Sequence, residues 1–430
     1  MPTQPPQPPG AFLTEALTAL GEQQPVLTQK AIVNTQGAKV LDKGVALHQG
    51  LYERLRQHHL AEPLEDNVSP AHAVTGHSLH TAAADLIASS ALLQRLYNDT
   101  AFKAVVLDLL DKTPLPPAIA LQLTVARDLY PSLFRHLLQT ALVNAWLVQA
   151  PLVPRYDLGS ALVAGLMHDL GMLHLNPLLL KADGALSPEL ERQLASHPVV
   201  SHTLLERHHV YPNEVLKAVL EHQECADGSG YPRRLAAADT SPLGQSLALA
   251  QAVSAMFNPA RPNPALRLSV LLRMNPHRFG ATLTAKVLGA VQPLLQASTE
   301  TDNTSRGDTT EGFVPALTGV HQALLTCPNT HTDTPWARHL LQQLEHMRRC
   351  LAEAGVAPEQ LGQLDHSSDP ALVQELRWLA REAVWQLRAL ARQAQLAWTP
   401  QAPGAQDHQR WFETVHDLGQ QWLTPENTID

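Results

Sequence analysis

The sequence predicts a mainly all-α fold, and composition, periodicity and the scarcity of strand patterns are the three observations that predict it. Leu and Ala carry most of the apolar content, which is 44% of the 430 residues, whereas aromatic residues make up only 5%. Leu and Ala lose little side-chain freedom in a helix. From about Thr81 to Leu295, apolar residues recur at helical spacing, with Pro residues between the segments. Strand-like patterns are confined to a short stretch near the N-terminus.

Five segments are predicted along the chain. Residues 1–10 form a Pro-rich tail that we expect to be disordered, and residues 296–311 are polar and typical of a linker. Residues 11–75 are predicted to form a small N-terminal α+β module, residues 76–295 the main helical domain, and residues 312–430 a C-terminal helical region.

The N-terminal module contains the predicted strands. Residues 31–35 and 39–41 are strand-like and flank Gln36-Gly37, a turn pair in which Gly is free to take positive φ. A helix is predicted over about residues 47–58. These elements together predict a small mixed unit ahead of the helical domain.

The clearest helix of the C-terminal region is predicted to begin at Pro370, after a capping residue at Asp369. An apolar stripe of roughly heptad spacing follows, formed by Leu372, Leu376, Leu379, Ala383, Leu387 and Leu390. Two interpretations stay open. The region is either a packed helical core or a surface for a protein partner or for self-association.

Charge and cysteine content exclude several classes of protein. The net charge is −9 and the isoelectric point is near 6.2, whereas a DNA-binding protein normally carries a basic face. The 3 cysteines are too few and too scattered for a disulfide framework or a cysteine zinc site. Neither a signal-peptide pattern nor an apolar run of about 18 residues is visible. We therefore expect a cytoplasmic protein that has no membrane span and does not bind DNA.

Four histidines and one aspartate are the candidate functional residues. His136 lies on the apolar face of a helix predicted from Pro131 to about Val148, where it is either a hydrogen-bonded core residue or a ligand. His168 and Asp169 follow an apolar helix, and burying an ionised Asp is costly unless a cation compensates it. A divalent metal would do so, since carboxylates bridge hard cations well.

His197 and His222 continue the series on later helices. Ser187-Pro188 should begin a helix on whose apolar face His197 lies, and Pro198 should kink that helix. Asn213 is expected to cap the helix that ends in Glu221-His222-Gln223-Glu224. A turn follows in which two glycines and a proline surround Tyr231, so that it presents Tyr231 near a helix terminus.

The order and spacing of these motifs resemble the HD-GYP family, the bacterial branch of the HD superfamily that hydrolyses cyclic di-guanylate. The resemblance covers roughly residues 131–257. It implies an HD-type helical bundle that binds two divalent metals, usually iron or manganese. The metal ligands it implies are His136, His168, Asp169, His197 and His222, with Asp169 bridging the metals as the catalytic residue. The signature turn that contacts substrate falls at Gly230, Tyr231 and Pro232.

Three positions depart from the family pattern. Gln223 replaces the second of two paired histidines, Gln251 replaces a late aspartate, and Met172 replaces a lysine. A neutral amide oxygen binds a hard cation more weakly than a carboxylate does. The loss of the lysine removes a cation that could neutralise phosphate charge. The departures therefore predict impaired or absent hydrolysis, unless unaligned carboxylates such as Glu221 and Glu224 substitute.

Competing functional hypotheses remain. The chain is either a metal-dependent phosphodiesterase of reduced efficiency acting on cyclic di-guanylate, or an inactive signalling module that keeps the fold. The module would bind a nucleotide or a single metal, or neither, and would act through its C-terminal helices. A general HD nucleotide phosphohydrolase is a third interpretation, which the Gly230-Tyr231-Pro232 turn disfavours.

Overall fold

A computed structural model shows that the protein is mainly α-helical, as the sequence predicts. It describes residues 10–149, 158–180, 186–258, 263–301, 313–328, 335–364, 369–397 and 405–422. These residues divide into two compact units. Unit 1 comprises the described residues within 1–255 and 277–286, and unit 2 comprises those within 256–276 and 287–430. The predicted segment boundaries stay predictions. The predicted tail up to residue 9 and residues 302–311 of the predicted linker lie outside the described residues, whereas residues 296–301 of that linker are helical.

The N-terminal part of unit 1 contains the strands. Its elements are α1 (Ala11–Gln23), β1 (Val26–Thr28), β2 (Ile32–Val33), β3 (Lys39–Leu41), α2 (Tyr52–Arg56) and β4 (Val68–Pro70). Strands β1 and β4 pair antiparallel, as do β2 and β3. Gly37 takes positive φ in the turn between β2 and β3, which confirms the predicted strand–turn–strand. The helix predicted over 47–58 is shorter, because a 3-10 turn at Gln49–Leu51 precedes α2.

The rest of unit 1 is helical. Its helices are α3 (Gly76–Ser89), α4 (Ala91–Leu96), α5 (Thr100–Asp111), α6 (Pro117–Leu129), α7 (Pro131–Val148), α8 (Leu158–Met167), α9 (Pro188–Leu194), α10 (His197–Glu206), α11 (Asn213–Glu221), α12 (Pro242–Met256) and α14 (Pro276–Phe279), with 3-10 helices at Leu64–Asp66, Leu170–His174 and Pro177–Leu180. Helix α7 has the predicted bounds. Pro131 begins it, since proline lacks only an amide that is unpaired in a first turn.

Close packing brings the site-bearing helices together. A Cβ on Gly165 of α8 would lie 2.4 Å from the Cα of Ala141 in α7, so the glycine permits the close approach of these two helices. Asn144 of α7 donates to the Ala161 carbonyl of α8 at 2.9 Å and accepts from Ser246 of α12 at 2.8 Å. A buried polar network with satisfied partners therefore ties three helices together.

Two local predictions were wrong. The segment after Ser187 is two helices rather than one kinked helix, because α9 ends at Leu194 and α10 begins at His197. Pro198 lies in the first turn of α10, where its missing amide costs nothing. Asn213 does not cap α11. It is the first residue of that helix, and Pro212 occupies the capping position without a side-chain hydrogen bond.

Unit 2 has its own apolar core. Its helices are α13 (Pro264–Met274), most of α15 (Ala281–Thr301), α16 (Val314–Thr326), α17 (Pro335–Glu353), α18 (Pro358–Leu364), α19 (Pro370–Ala397) and α20 (Ala405–Trp422). Helix α19 begins at Pro370, as predicted, and its apolar stripe contributes to the core. Trp378 and Trp411 are buried, whereas Trp385 is 46% exposed. Among the described residues, no helix combines the length and apolar character needed to cross a membrane.

Candidate metal centre

The five predicted site residues converge inside unit 1. His136 lies on α7, His168 and Asp169 follow α8, His197 begins α10, and His222 follows the last residue of α11. His168 and His222 are fully buried, and His197 is 2% exposed. Elements that are distant in sequence therefore bring four imidazoles around one carboxylate.

Each imidazole approaches Asp169 through its Nε2 atom. The Nε2–oxygen distances are 3.7 Å from His136 to Oδ2, 3.3 Å from His168 to Oδ2, 3.1 Å from His197 to Oδ1 and 3.3 Å from His222 to Oδ1. The two oxygens of Asp169 thus face different pairs of histidines. His136, His168 and Asp169 form a first triad, and Asp169, His197 and His222 form a second triad. Asp169 belongs to both triads, which is the arrangement of a bridging carboxylate.

Backbone carbonyl groups fix three of the rings. The Nδ1 atom of His168 lies 2.8 Å from the Gly165 oxygen, and the Nδ1 atoms of His197 and His222 each lie 2.6 Å from the carbonyl oxygen three residues earlier. A carbonyl oxygen accepts only, so the ring hydrogen of each must be on Nδ1. The lone pair on Nε2 therefore faces Asp169, which is how an outer hydrogen bond orients a metal-binding histidine.

Most of the converging atoms are hydrogen-bond acceptors that face other acceptors. The Nε2 atoms of His197 and His222 lie 3.0 Å apart, and both carry lone pairs when Nδ1 holds the hydrogen. Among the described residues, His168 Nε2 and Asp169 Oδ1 are buried without a hydrogen bond of good geometry. Buried polar atoms are normally satisfied. A cation would satisfy all of these atoms together, so the residues fit a divalent metal.

Burial favours the ligand forms of these side chains. Desolvation lowers the pKa of His136 and of His222 to about 4, so both imidazoles are neutral at neutral pH. Burial alone would raise the pKa of Asp169, but the charges and hydrogen bonds that His168 and His197 offer when they are protonated outweigh it and hold that pKa well below its usual range. Neutral imidazole and ionised carboxylate are the forms that bind metals.

Gly171 sets the distance between Asp169 and α10. Its amide donates to Ser201 Oγ at 2.8 Å, and a Cβ at this position would lie 2.5 Å from the His197 carbonyl oxygen. We expect Gly171→Ala to lower the free energy of unfolding by about 1–3 kcal/mol, because backbone atoms would have to shift. Chemical denaturation measures this change.

Gly289→Ala is the matched control, because a Cβ at Gly289 in α15 meets nothing within 4 Å. That helical substitution should be neutral or stabilising by up to about 1 kcal/mol. Wild-type stability in Gly171→Ala would show that the turn and α10 do not pack this closely.

The three departing residues lie beside the centre. Met172 is buried in the 3-10 helix that follows Asp169. Gln223 Nε2 lies 3.5 Å from His197 Nε2, and Gln251 Nε2 lies 3.4 Å from Gln223 Oε1. The two amides therefore contact each other next to the second triad.

Glu221 and Glu224 do not replace the missing ligands. Glu221 is buried and accepts from the amide and hydroxyl of Ser241 at 2.7 and 2.6 Å and from Arg233 at 3.0 Å. Glu224 accepts from the backbone amides of Arg233 and Leu235 at 2.7 and 2.9 Å. Both carboxylates hold the chain after α11 in place, and neither belongs to either triad.

The turn at Gly230, Tyr231 and Pro232 lies against the chain that follows His222. A Cβ on Gly230 would lie 2.4 Å from the Gln223 carbonyl oxygen, and the Tyr231 amide donates to that oxygen at 3.1 Å. The Tyr231 ring lies edge-on to His197, with 6.2 Å between ring centres. Burial, and next the charge of Asp169, raise the pKa of the Tyr231 phenol, which therefore stays protonated.

Sequence reasoning missed a cation near this turn. The Nε and Nη2 atoms of Arg278 each lie 3.4 Å from Cys225 Sγ, and the Arg278 carbonyl accepts from the Ala226 amide at 3.0 Å. Arg278 lies 53 residues after Cys225 in the sequence. No local pattern indicates this pairing, because it depends on how α14 packs.

The segment from residue 131 to residue 283 contains the buried histidine–aspartate centre. This segment matches the family model described as HD domain. The match includes all five converging residues and the Gly230–Pro232 turn, and it supports assignment to the HD superfamily, whose members bind divalent metals and include metal-dependent phosphohydrolases. No curated protein and no solved structure matches the chain.

Proposed function

We propose that this protein is a metal-binding HD-GYP-like domain that binds cyclic di-guanylate and hydrolyses it slowly. The proposal rests on the convergence of four histidine Nε2 atoms on the shared carboxylate of Asp169. Most of these atoms are hydrogen-bond acceptors that face other acceptors. Only a cation or a proton makes such a cluster favourable. The resemblance to the HD-GYP family implies iron or manganese, and a donor set of imidazoles with a carboxylate is compatible with both.

Side chains of the centre would take distinct roles. Asp169 would bridge the two metal positions, with His136 and His168 on one side and His197 and His222 on the other. A bound divalent ion would polarise a phosphoryl oxygen and make water more acidic. The protonated Tyr231 phenol beside His197 would donate to a phosphate oxygen of the substrate. The Gly230–Pro232 turn would hold the phenol in that position.

Slow turnover follows from the three departing residues. Gln223 and Gln251 carry no charge, so two close dications would be poorly neutralised. Met172 offers no positive charge to a phosphate group. An efficient two-metal reaction stabilises both the attacking and the leaving oxygen, and this centre would do so weakly.

The test combines metal content with nucleotide binding and turnover. The purified chain, loaded with Mn²⁺ or Fe²⁺ without oxygen, should retain metal and bind cyclic di-guanylate by calorimetry. We expect slow loss of the nucleotide over hours and none in His168→Ala. A chain that retains no metal under either condition would refute the proposal.

The alternative function is an inactive signalling module. The contact between Gln251 and Gln223 favours this alternative, because the two amides hydrogen-bond to each other next to the second triad. Under this alternative the nucleotide binds and no turnover is detected. The C-terminal helices of unit 2 would then transmit the signal to a protein partner or a second copy of the chain.

A further inference from the structure

The two triads differ in how well they are built to hold a cation. The second triad is tighter, because its Nε2–Nε2 distance is 3.0 Å and its Nε2–oxygen distances are 3.1 and 3.3 Å. In the first triad the distances to Asp169 Oδ2 are 3.3 and 3.7 Å. Lone pairs repel most where they are closest, so a bound cation would relieve more repulsion at the second triad than at the first.

Ring orientation separates the triads as well. His197 and His222 both donate through Nδ1 to backbone carbonyls at 2.6 Å and are almost completely buried. His136 is 20% exposed, and within the described residues its Nδ1 makes no such bond. Fixing the ring in advance lowers the entropy lost on metal binding, and outer hydrogen bonds strengthen the ligand. The second triad therefore has two fixed imidazoles and the first has one.

A fourth ligand is within reach of the second triad. Gln223 Nε2 lies 3.5 Å from His197 Nε2. Gln251 Nε2 donates to Gln223 Oε1 at 3.4 Å. Rotating both amides by half a turn keeps their mutual hydrogen bond and turns Gln223 Oε1 toward His197. An amide oxygen in that position is an acceptable ligand for a hard cation.

We infer that this protein binds one divalent ion tightly, at Asp169, His197, His222 and the Gln223 amide oxygen, and that the first triad binds a second ion weakly. Gln251 acts as a positioning residue, because it holds Gln223 rather than reaching the ion. The inference rests on the proposed metal binding and specifies its stoichiometry. It implies that only one of the two metal positions is filled tightly.

Metal stoichiometry and affinity test the inference without any activity measurement. The full chain is stripped with a chelator, titrated with Mn²⁺ by calorimetry, and examined by electron paramagnetic resonance. We expect one tight ion per chain with the spectrum of an isolated Mn²⁺. His222→Ala should weaken the tight site by more than about 100-fold, since even outer partners of a ligand contribute 10–100-fold. His136→Ala should change its dissociation constant by less than about threefold, because the tight ion does not contact His136.

Isosteric variants test the role of the amide. Gln223→Glu places a charged oxygen where the amide oxygen lies and should tighten the single site at least about tenfold, whereas Gln223→Leu should weaken it. Melting of each metal-free variant checks that the fold is intact. A tight site lost in His136→Ala but kept in His222→Ala would overturn the inference, as would two equally tight ions or an unchanged affinity in Gln223→Glu. Absence of any metal binding would instead refute the proposed function itself.

Discussion

Replacing Asp169 with Asn will remove metal binding almost completely. Asn keeps the size of the side chain but loses the negative charge and one of the two oxygens that face the triads. Asp169 is the only residue shared by both triads of the described structure, so both lose their anionic ligand at once. We expect the dissociation constant for Mn²⁺ to rise by more than about 100-fold.

Thermal denaturation with and without Mn²⁺ measures this effect. At a free Mn²⁺ concentration about 100 times the dissociation constant, binding stabilises the wild-type fold by about 2.7 kcal/mol, and Asp169→Asn should gain less than about 0.4 kcal/mol. Asp128→Asn is the control, because Asp128 pairs with Arg127 and Gln24 rather than with the site histidines. A metal-induced shift that persists in Asp169→Asn would contradict the ligand assignment.

Restoring the three departing positions will raise hydrolysis of cyclic di-guanylate. The combined variant Gln223→His, Gln251→Asp and Met172→Lys supplies an imidazole, a carboxylate and a cation. Losing a single preorganised donor costs an enzyme about 10²–10³-fold in rate. We therefore expect a gain of at least about 100-fold over the wild type, measured as release of the linear dinucleotide.

Two controls separate the causes of this gain. Adding Asp169→Asn to the combined variant should abolish the activity, and Met172→Lys alone should give little of it. Met172 is buried, and an unpaired charge there is costly, so the stability of the single variant must be measured as well. A combined variant that binds two ions but leaves cyclic di-guanylate intact would show that the substrate is a different one.

The order of helices was readable from the sequence because helix formation depends on neighbouring residues. Pro131 and Pro370 begin helices at the predicted residues, since proline is tolerated in a first turn and excluded from the interior. The same local rule is ambiguous at Pro198. A proline is compatible both with a kink in one helix and with the first turn of a new helix, and only packing distinguishes the two. Gly171 lies against the first turn of α10, where the chain begins a new helix.

The candidate ligands were also identified from the sequence, through the resemblance of their motifs to a known family. Their convergence is visible only in the tertiary structure, because His136 and His222 lie 86 positions apart in the sequence. The structure also assigned Glu221 and Glu224 to holding the chain after α11, because their carboxylates accept hydrogen bonds from Ser241 and from nearby backbone amides. Sequence spacing cannot distinguish a ligand carboxylate from a structural one, since both are buried acids.

The sequence by itself determined that this chain is mainly helical, because helix formation follows from residue type and local periodicity, and the resemblance of its motifs to a known family implied Asp169 and four histidines as candidate ligands. Only the tertiary structure decided that the ligands form two unequal triads and that Gln223 and Gln251 contact each other. Distances between helices depend on packing at residues such as Gly165 and Gly171, where a missing Cβ permits close approach. That packing is a property of the whole domain, so no local stretch of sequence contains it.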